Sequence, residues 1–165
     1  MITPAVLPAE IVSLLIPRLS DEFKAFYFYR DASNWCANVG FLKAAEYFAK
    51  ESADELEHAK KIESYLTDWN VTPTLPPIAS PVSQFSKLSD VIDAAYQIEY
   101  ALYGAYVATS QAAFASDLCT FDFLTQFRKI QVESVAQYSD LLNKLTGVNV
   151  DSKFEMMALE EALFA

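Results

Sequence analysis

Five residues in this chain carry side chains able to bind hard cations, and each stands where an apolar residue is due. Glu55-Leu56-Glu57-His58 places a carboxylate and an imidazole three residues apart, which on a helix means one face. Glu22 falls between Leu19 and Phe26, Glu99 between Ala95 and Leu102, and Gln131 between Phe127 and Val135. Burying three carboxylates without compensation costs many kcal/mol, so they must take up protons or bind cations. No Lys or Arg shares these inward stripes at the same depth. Metal ions meet that need, and carboxylate oxygens with one imidazole suit Fe(II), Mn(II) or Zn(II). Singly, each signal is weak. A Glu-x-x-His arises by chance, a lone inward His is more often a satisfied core residue, and a lone Gln more often packs. The weight lies in four segments carrying polar residues at matched depth.

The elements that must hold these residues are helical. A first segment, roughly 9 to 38, has the stripe Val12, Leu15, Leu19, Phe23, Phe26, Tyr29, Ser33 and Cys36, and Pro17 predicts a kink or break within it. A second, roughly 41 to 69, places Leu42, Ala45, Phe48, Ser52, Ala59, Ile62, Leu66 and Trp69 inward. Residues 70 to 87 contain Pro73, Pro76, Pro77 and Pro81, which exclude a helix and give an extended crossover. A third helix, roughly 88 to 116, and a fourth, roughly 120 to 146, follow, with a short fifth over about 152 to 163. In the fifth, Phe154, Met157, Leu159 and Leu163 read as the apolar face, and Tyr29 and Tyr103 of the longer helices read as core aromatics. Apolar spacings of three and four residues, sustained over four segments, predict an all-α four-helix bundle in one domain spanning residues 1–165. Each polar interruption lies within about three positions of its helix midpoint, or about 5 Å along the axis. Glu22, Glu55, His58, Glu99 and Gln131 should therefore converge at one level of the core.

Composition narrows the partners. A net charge of −10 repels phosphate backbones, so nucleic acid is not expected as a partner. Hydrophobic residues make up 53% of the chain, which argues against disorder. The apolar N-terminus lacks a basic start and is interrupted by Glu10, so it does not read as a signal peptide. No uncharged run is long enough to span a bilayer. Cys36 and Cys119 show no metal-ligand spacing, and a reducing, cytoplasmic setting is expected.

Glu22, Tyr29, Trp35, the Glu55–His58 run, Glu99 and Gln131, taken in order, resemble the ferroxidase pattern of the ferritins. Stretches such as YFAKESADELEHAKKIESYLTDW and CTFDFLTQFRKIQ are similar to the bacterial non-haem branch. The resemblance covers nearly the whole chain. It implies the ferritin-like bundle with a long crossover and a short fifth helix, two non-haem irons per subunit, and oxidation of Fe(II) by dioxygen with storage of the ferric mineral. It also implies that Glu22 and His58 hold the first iron, Glu55 bridges both, and Glu99 binds the second with Gln131 beside it. Tyr29 would hydrogen-bond a ligand or supply an electron. Bacterioferritins and rubrerythrins place a second Glu-x-x-His on the last long helix, whereas His58 is this chain's only histidine. The second helix lacks a methionine for axial haem contact, so no haem is expected.

Many bacterial ferritins add a third iron position from acids on the second and fourth helices. Asp54 and Glu133 are the candidates here, but Ile130 and Ser134 stand where further carboxylates are due. The resemblance further implies a homo-oligomeric, hollow 24-subunit cage. The short last helix, with Met156, Met157 and Leu163, would pack around its four-fold axis. Asp117 and Asp122 fall near the three-fold pores, although solvated surface acids are the plainer reading. Three other functions suit these residues less well. A diiron oxidase on an organic substrate needs an access tunnel and usually more histidines. A non-catalytic helical scaffold would carry Lys, Ala or Ser at the ligand positions. A Dps-like protein has its iron site between subunits.

Overall fold

Glycine and proline interrupt this chain so rarely that its four main helices run unbroken for 27 to 31 residues. In the computed structural model these are α1 (Ala9–Val39), α2 (Leu42–Asp68), α3 (Leu88–Phe114) and α4 (Leu118–Lys144), followed by α5 (Lys153–Leu163). The structure describes residues 1–81 and 84–164. Val82 and Ser83 of the expected crossover, and Ala165 at the end of the expected domain, lie outside the described residues. No strand occurs among the described residues, and the architecture is the all-α bundle that the apolar spacing implies.

Turn chemistry sets the helix directions. Gly40 adopts φ 94°, and its N–H and that of Phe41 both bond the Cys36 carbonyl, at 3.0 and 2.9 Å. Glycine takes this left-handed conformation without a Cβ penalty, which lets α1 stop and reverse into α2. The Leu7 N–H donates to the Trp69 carbonyl at 3.3 Å, and Asn70 Nδ2 to the Ala5 carbonyl at 2.8 Å. The start of α1 is thus tied to the end of α2, and the two run antiparallel. Asp117 caps α4, accepting from the Cys119 N–H at 3.1 Å and from Thr120 Oγ1 at 2.7 Å. Contacts from Arg18 to Thr109, Tyr106 to Glu22 and Tyr29 to Glu99 make α1 and α3 antiparallel as well. So α2 and α3 point the same way, and the chain between them must travel back along the bundle. Phe85, near its end, packs edge-on against Phe28 and Trp35.

Four local expectations differ from the structure. No break occurs at Pro17, and α1 is continuous through it. Pro17 and Ser13, whose carbonyl loses its helical partner there, are both exposed, so water can satisfy that carbonyl. The buried line of α1 is Ile11, Leu15, Leu19, Glu22, Ala25 and Tyr29, with Phe23 and Phe26 on its half-buried margins. Counted from Ile11, a helical period of 3.6 residues falls on Glu22, Ala25 and Tyr29 and passes the phenylalanines to either side. In α5, Met156 and Leu163 are buried within the subunit, whereas Phe154 is 81% and Met157 45% exposed. Leu42, at the start of α2, is exposed too.

Candidate metal centre

The centre grows from one helical turn of each long helix. α1 contributes Glu22, α2 contributes Glu55 and His58, α3 contributes Glu99 and α4 contributes Gln131. The first, second, fourth and fifth of these are buried, and the His58 side chain retains 13% accessibility. Glu22, Glu55 and His58 each offer a ligand atom within 4.8 Å of the others. His58 Nδ1 lies 3.0 Å from Glu55 Oε2 and 3.5 Å from Glu22 Oε2. Among the described residues, no Lys or Arg pairs with any of these carboxylates.

Tyrosines hold the outer oxygens. The Tyr106 hydroxyl donates to Glu22 Oε1 and the Tyr29 hydroxyl to Glu99 Oε1. With its amide oriented to donate, Gln131 Nε2 reaches Glu99 Oε2 at 3.0 Å and the Glu99 carbonyl at 3.1 Å. Tyr106 stacks on Phe127, with centroids 5.0 Å apart, and Tyr29 stacks between Phe48 and Tyr138 at 6.1 and 6.2 Å. These rings fix the tyrosine hydroxyls, and the hydroxyls fix the carboxylates. Glu22 Oε2 is buried with no hydrogen-bond partner. A buried carboxyl oxygen without a hydrogen bond, beside a second carboxyl group and an imidazole, is the arrangement a divalent cation completes.

The electrostatics agree. Burial holds the Glu55 carboxyl well above the usual carboxylate range, opposed by the His58 contact and reinforced by Glu22. Burial also pushes Glu99 up to about 7, against the Tyr29 hydrogen bond. Burial alone would lower His58, but its Nδ1 faces the carboxylates of Glu22 and Glu55, which outweigh burial and raise the imidazole to about 10. A proton on Nδ1 thus occupies the position of a cation between two carboxylates. Tyr29 is raised well above its ordinary value by burial and then by the charges of Glu99 and Glu55, so it stays a phenol.

The five residues picked from sequence lie in this one layer, with Tyr29 against it. Asp54 and Glu133 are exposed and stand apart from the cluster, while Ile130 and Ser134 are half-buried. Asp117 serves as a helix cap, and Asp122 is exposed. Sequence reasoning overlooked three neighbours. Tyr106 sits on the inward stripe of α3 seven residues after Glu99, and it holds Glu22 where Tyr103, 37% exposed, points outward. Tyr138 on α4 donates to Glu51 Oε2 at 3.2 Å, and Glu51 lies one turn before Glu55. The signal was available as the i, i+4, i+7 series Glu51, Glu55, His58.

A family model described as a ferritin-like domain matches residues 13–148. The chain is 26% identical over 148 residues to a probable bacterial non-haem ferritin-like protein of Haemophilus influenzae, covering 89% of this chain and 90% of that one. It is 25% identical over 141 residues to the bacterial non-haem ferritin of Escherichia coli, covering 85% and 86%. Among solved structures, an open pore ferritin from Archaeoglobus fulgidus superposes with a TM-score of 0.88 at 20% identity, covering 95% and 96%. A variant of PmFTN soaked in iron superposes with a TM-score of 0.86 at 26% identity, covering 92% and 98%.

Proposed function

Because the chain belongs to the ferritin-like family, we propose that it stores iron, taking Fe(II) as substrate and oxidising it with dioxygen at the four-helix centre. The observation that carries this reading is the group Glu22, Glu55 and His58, with Glu22 Oε2 lacking a hydrogen bond and, among the described residues, no Lys or Arg paired with these carboxylates. The names of the relatives, bacterial non-haem ferritins among them, support the choice of iron.

One Fe(II) would bind Glu22, His58 and Glu55. A second would bind Glu55 from its other side together with Glu99. Glu55 would be the bridge, as the ferritin pattern that these residues resemble implies; it lies beside Glu22 and His58 in the cluster. Binding would displace the His58 proton and any proton on Glu99, and the two Fe(II) would together give two electrons to one dioxygen, which takes up two protons and leaves as hydrogen peroxide. Carboxylates are hard ligands and stabilise Fe(III) over Fe(II), which favours that transfer. Tyr106 and Tyr29 keep Glu22 and Glu99 aimed inward while the metal charge changes. Gln131 steadies Glu99. Asp54 and Glu133 would offer at most a weak third position, since both are exposed.

The ferric product would collect inside a homo-oligomeric, 24-subunit cage, assembled from a single-domain subunit. Exposed Phe154, Met157 and Leu42 give the α5 end of the bundle an apolar surface suited to neighbouring copies. The free thiols of Cys36 and Cys119 suit a cytoplasmic location. No described helix is long and apolar enough to cross a membrane. An oxidase acting on an organic substrate would need a cavity opening on the centre, and the crevice beside Lys24, Phe28, Phe85 and Asp90 includes none of the ligand residues.

The test is rapid mixing of anaerobically loaded Fe(II) protein with oxygen, followed at the near-ultraviolet ferric absorbance. Wild type should show a fast phase saturating at two irons per chain, and Glu55→Ala should lose it. A fast phase that survives Glu55→Ala contradicts the proposal.

A further inference from the structure

Glu55 lies between two flanks of α2 that mirror each other. On one side His58 follows by three residues and faces Glu22, which the Tyr106 hydroxyl holds. On the other, Glu51 precedes by four residues and is held by the Tyr138 hydroxyl at 3.2 Å. The Tyr138 ring stacks on Tyr29 at 6.2 Å and 13°, and the Tyr29 hydroxyl holds Glu99. Spacings of four and three residues put Glu51, Glu55 and His58 on one face of the helix, with Glu51 about 6 Å and His58 about 4.5 Å from Glu55 along the axis.

The two flanks are unequal in ligands. The first offers Glu22, Glu55 and His58. The second, without Glu51, offers Glu55 and Glu99 alone, because the Gln131 amide donates to Glu99. Charge is unequal too. Two Fe(II) ions carry four positive charges, against three negative from Glu22, Glu55 and Glu99, and unbalanced charge in a buried site is costly. We propose that Glu51 is the fourth carboxylate of the centre and a ligand of the second metal ion. The assignment rests on the two-metal reading above. Glu51 is half-buried on the same face of α2 as Glu55, and its Oε2 accepts from the buried Tyr138 hydroxyl, whose ring packs on the tyrosine that holds Glu99.

Calorimetric titration of the full-length, metal-free protein with Zn(II) separates the two ideas. Wild type should bind two Zn(II) per chain. Glu51→Gln, which keeps the side-chain shape and an acceptor for Tyr138, should weaken the second Zn(II) by about tenfold or more and leave the first unchanged. His58→Ala should weaken the first instead. Tyr138→Phe, which removes the anchor and keeps the carboxylate, should weaken the second by a smaller factor, and it provides a second reading if Glu51→Gln folds poorly by circular dichroism. Two unchanged Zn(II) sites in both Glu51→Gln and Tyr138→Phe overturn the role of Glu51 and leave the two-metal centre standing. Fewer than two sites in wild type overturn the two-metal reading and Glu51 with it.

Discussion

At His58 a proton and a metal ion compete for the same lone pair. The imidazole is raised to about 10 by Glu22 and Glu55 against the opposing effect of burial. Near neutral pH the first metal must therefore displace a proton, and Zn(II) affinity at that position should rise about tenfold per pH unit between pH 6 and 8. A pH-independent affinity would show that His58 is not the ligand. The same groups fix the sign of stability in the metal-free protein. His58 titrates in the folded state near 10, above its ordinary 6.5, so its stabilisation is full below 6.5 and is lost as pH rises towards 10. Glu99 titrates near 7 rather than 4.5, so its contribution is full below 4.5 and is lost as pH rises through 7. Thermal melts should show Tm falling as pH is raised from about 4.5, and Glu99→Gln should flatten the fall between 4.5 and 7. Tyr106→Phe removes the hydroxyl that donates to Glu22 Oε1 and should cost the metal-free protein about 1–3 kcal/mol, with a smaller loss once Zn(II) is bound.

At the scale of the helix, the cap at α4 carries a definite share of stability. Asp117→Ala removes acceptors for the Cys119 N–H and Thr120 hydroxyl and should cost about 1 kcal/mol by chemical denaturation. A change within error would return Asp117 to the class of merely solvated acids. The bundle was legible in the sequence because apolar residues at helical spacing are forced inward over four long segments. The centre was legible because Glu22, Glu55, Glu99 and Gln131 break those stripes near the same depth. The helix edges were harder to read. Phe23, Leu42 and Phe154 are apolar, yet their positions on the helical cylinder fall outside the buried arc, and hydrophobicity alone does not report angle. Tyr106 and Tyr138 lie on inward stripes, where an aromatic side chain usually means plain packing, and Glu51 is a charged residue on a half-buried helix face, which usually means solvation, so their roles were not legible. Only the cross-helix hydrogen bonds to Glu22 and from Tyr138 show otherwise.

At the scale of the whole molecule, the apolar side chains left exposed near α5 bear on assembly. Phe154 is 81% exposed on an otherwise ordered helix whose Met156, Glu160 and Leu163 are buried. Glu160 Oε1 accepts from the Ala44 N–H at 2.9 Å, which docks α5 on α2 and holds Phe154 and Met157 outward. Light scattering should return a mass twenty-four times that of the 18.5 kDa chain, and Phe154→Glu should shift it to smaller species without unfolding the helices. A monomeric wild type would remove the cage. The claim on which the function rests is that the buried carboxylates hold two irons, and iron-edge anomalous diffraction from crystals soaked in Fe(II) addresses it directly. Two peaks per chain are predicted, one contacted by Glu22, Glu55 and His58 and the other by Glu55 and Glu99. Anomalous density confined to exposed acids, with none inside the four-helix core, would contradict it.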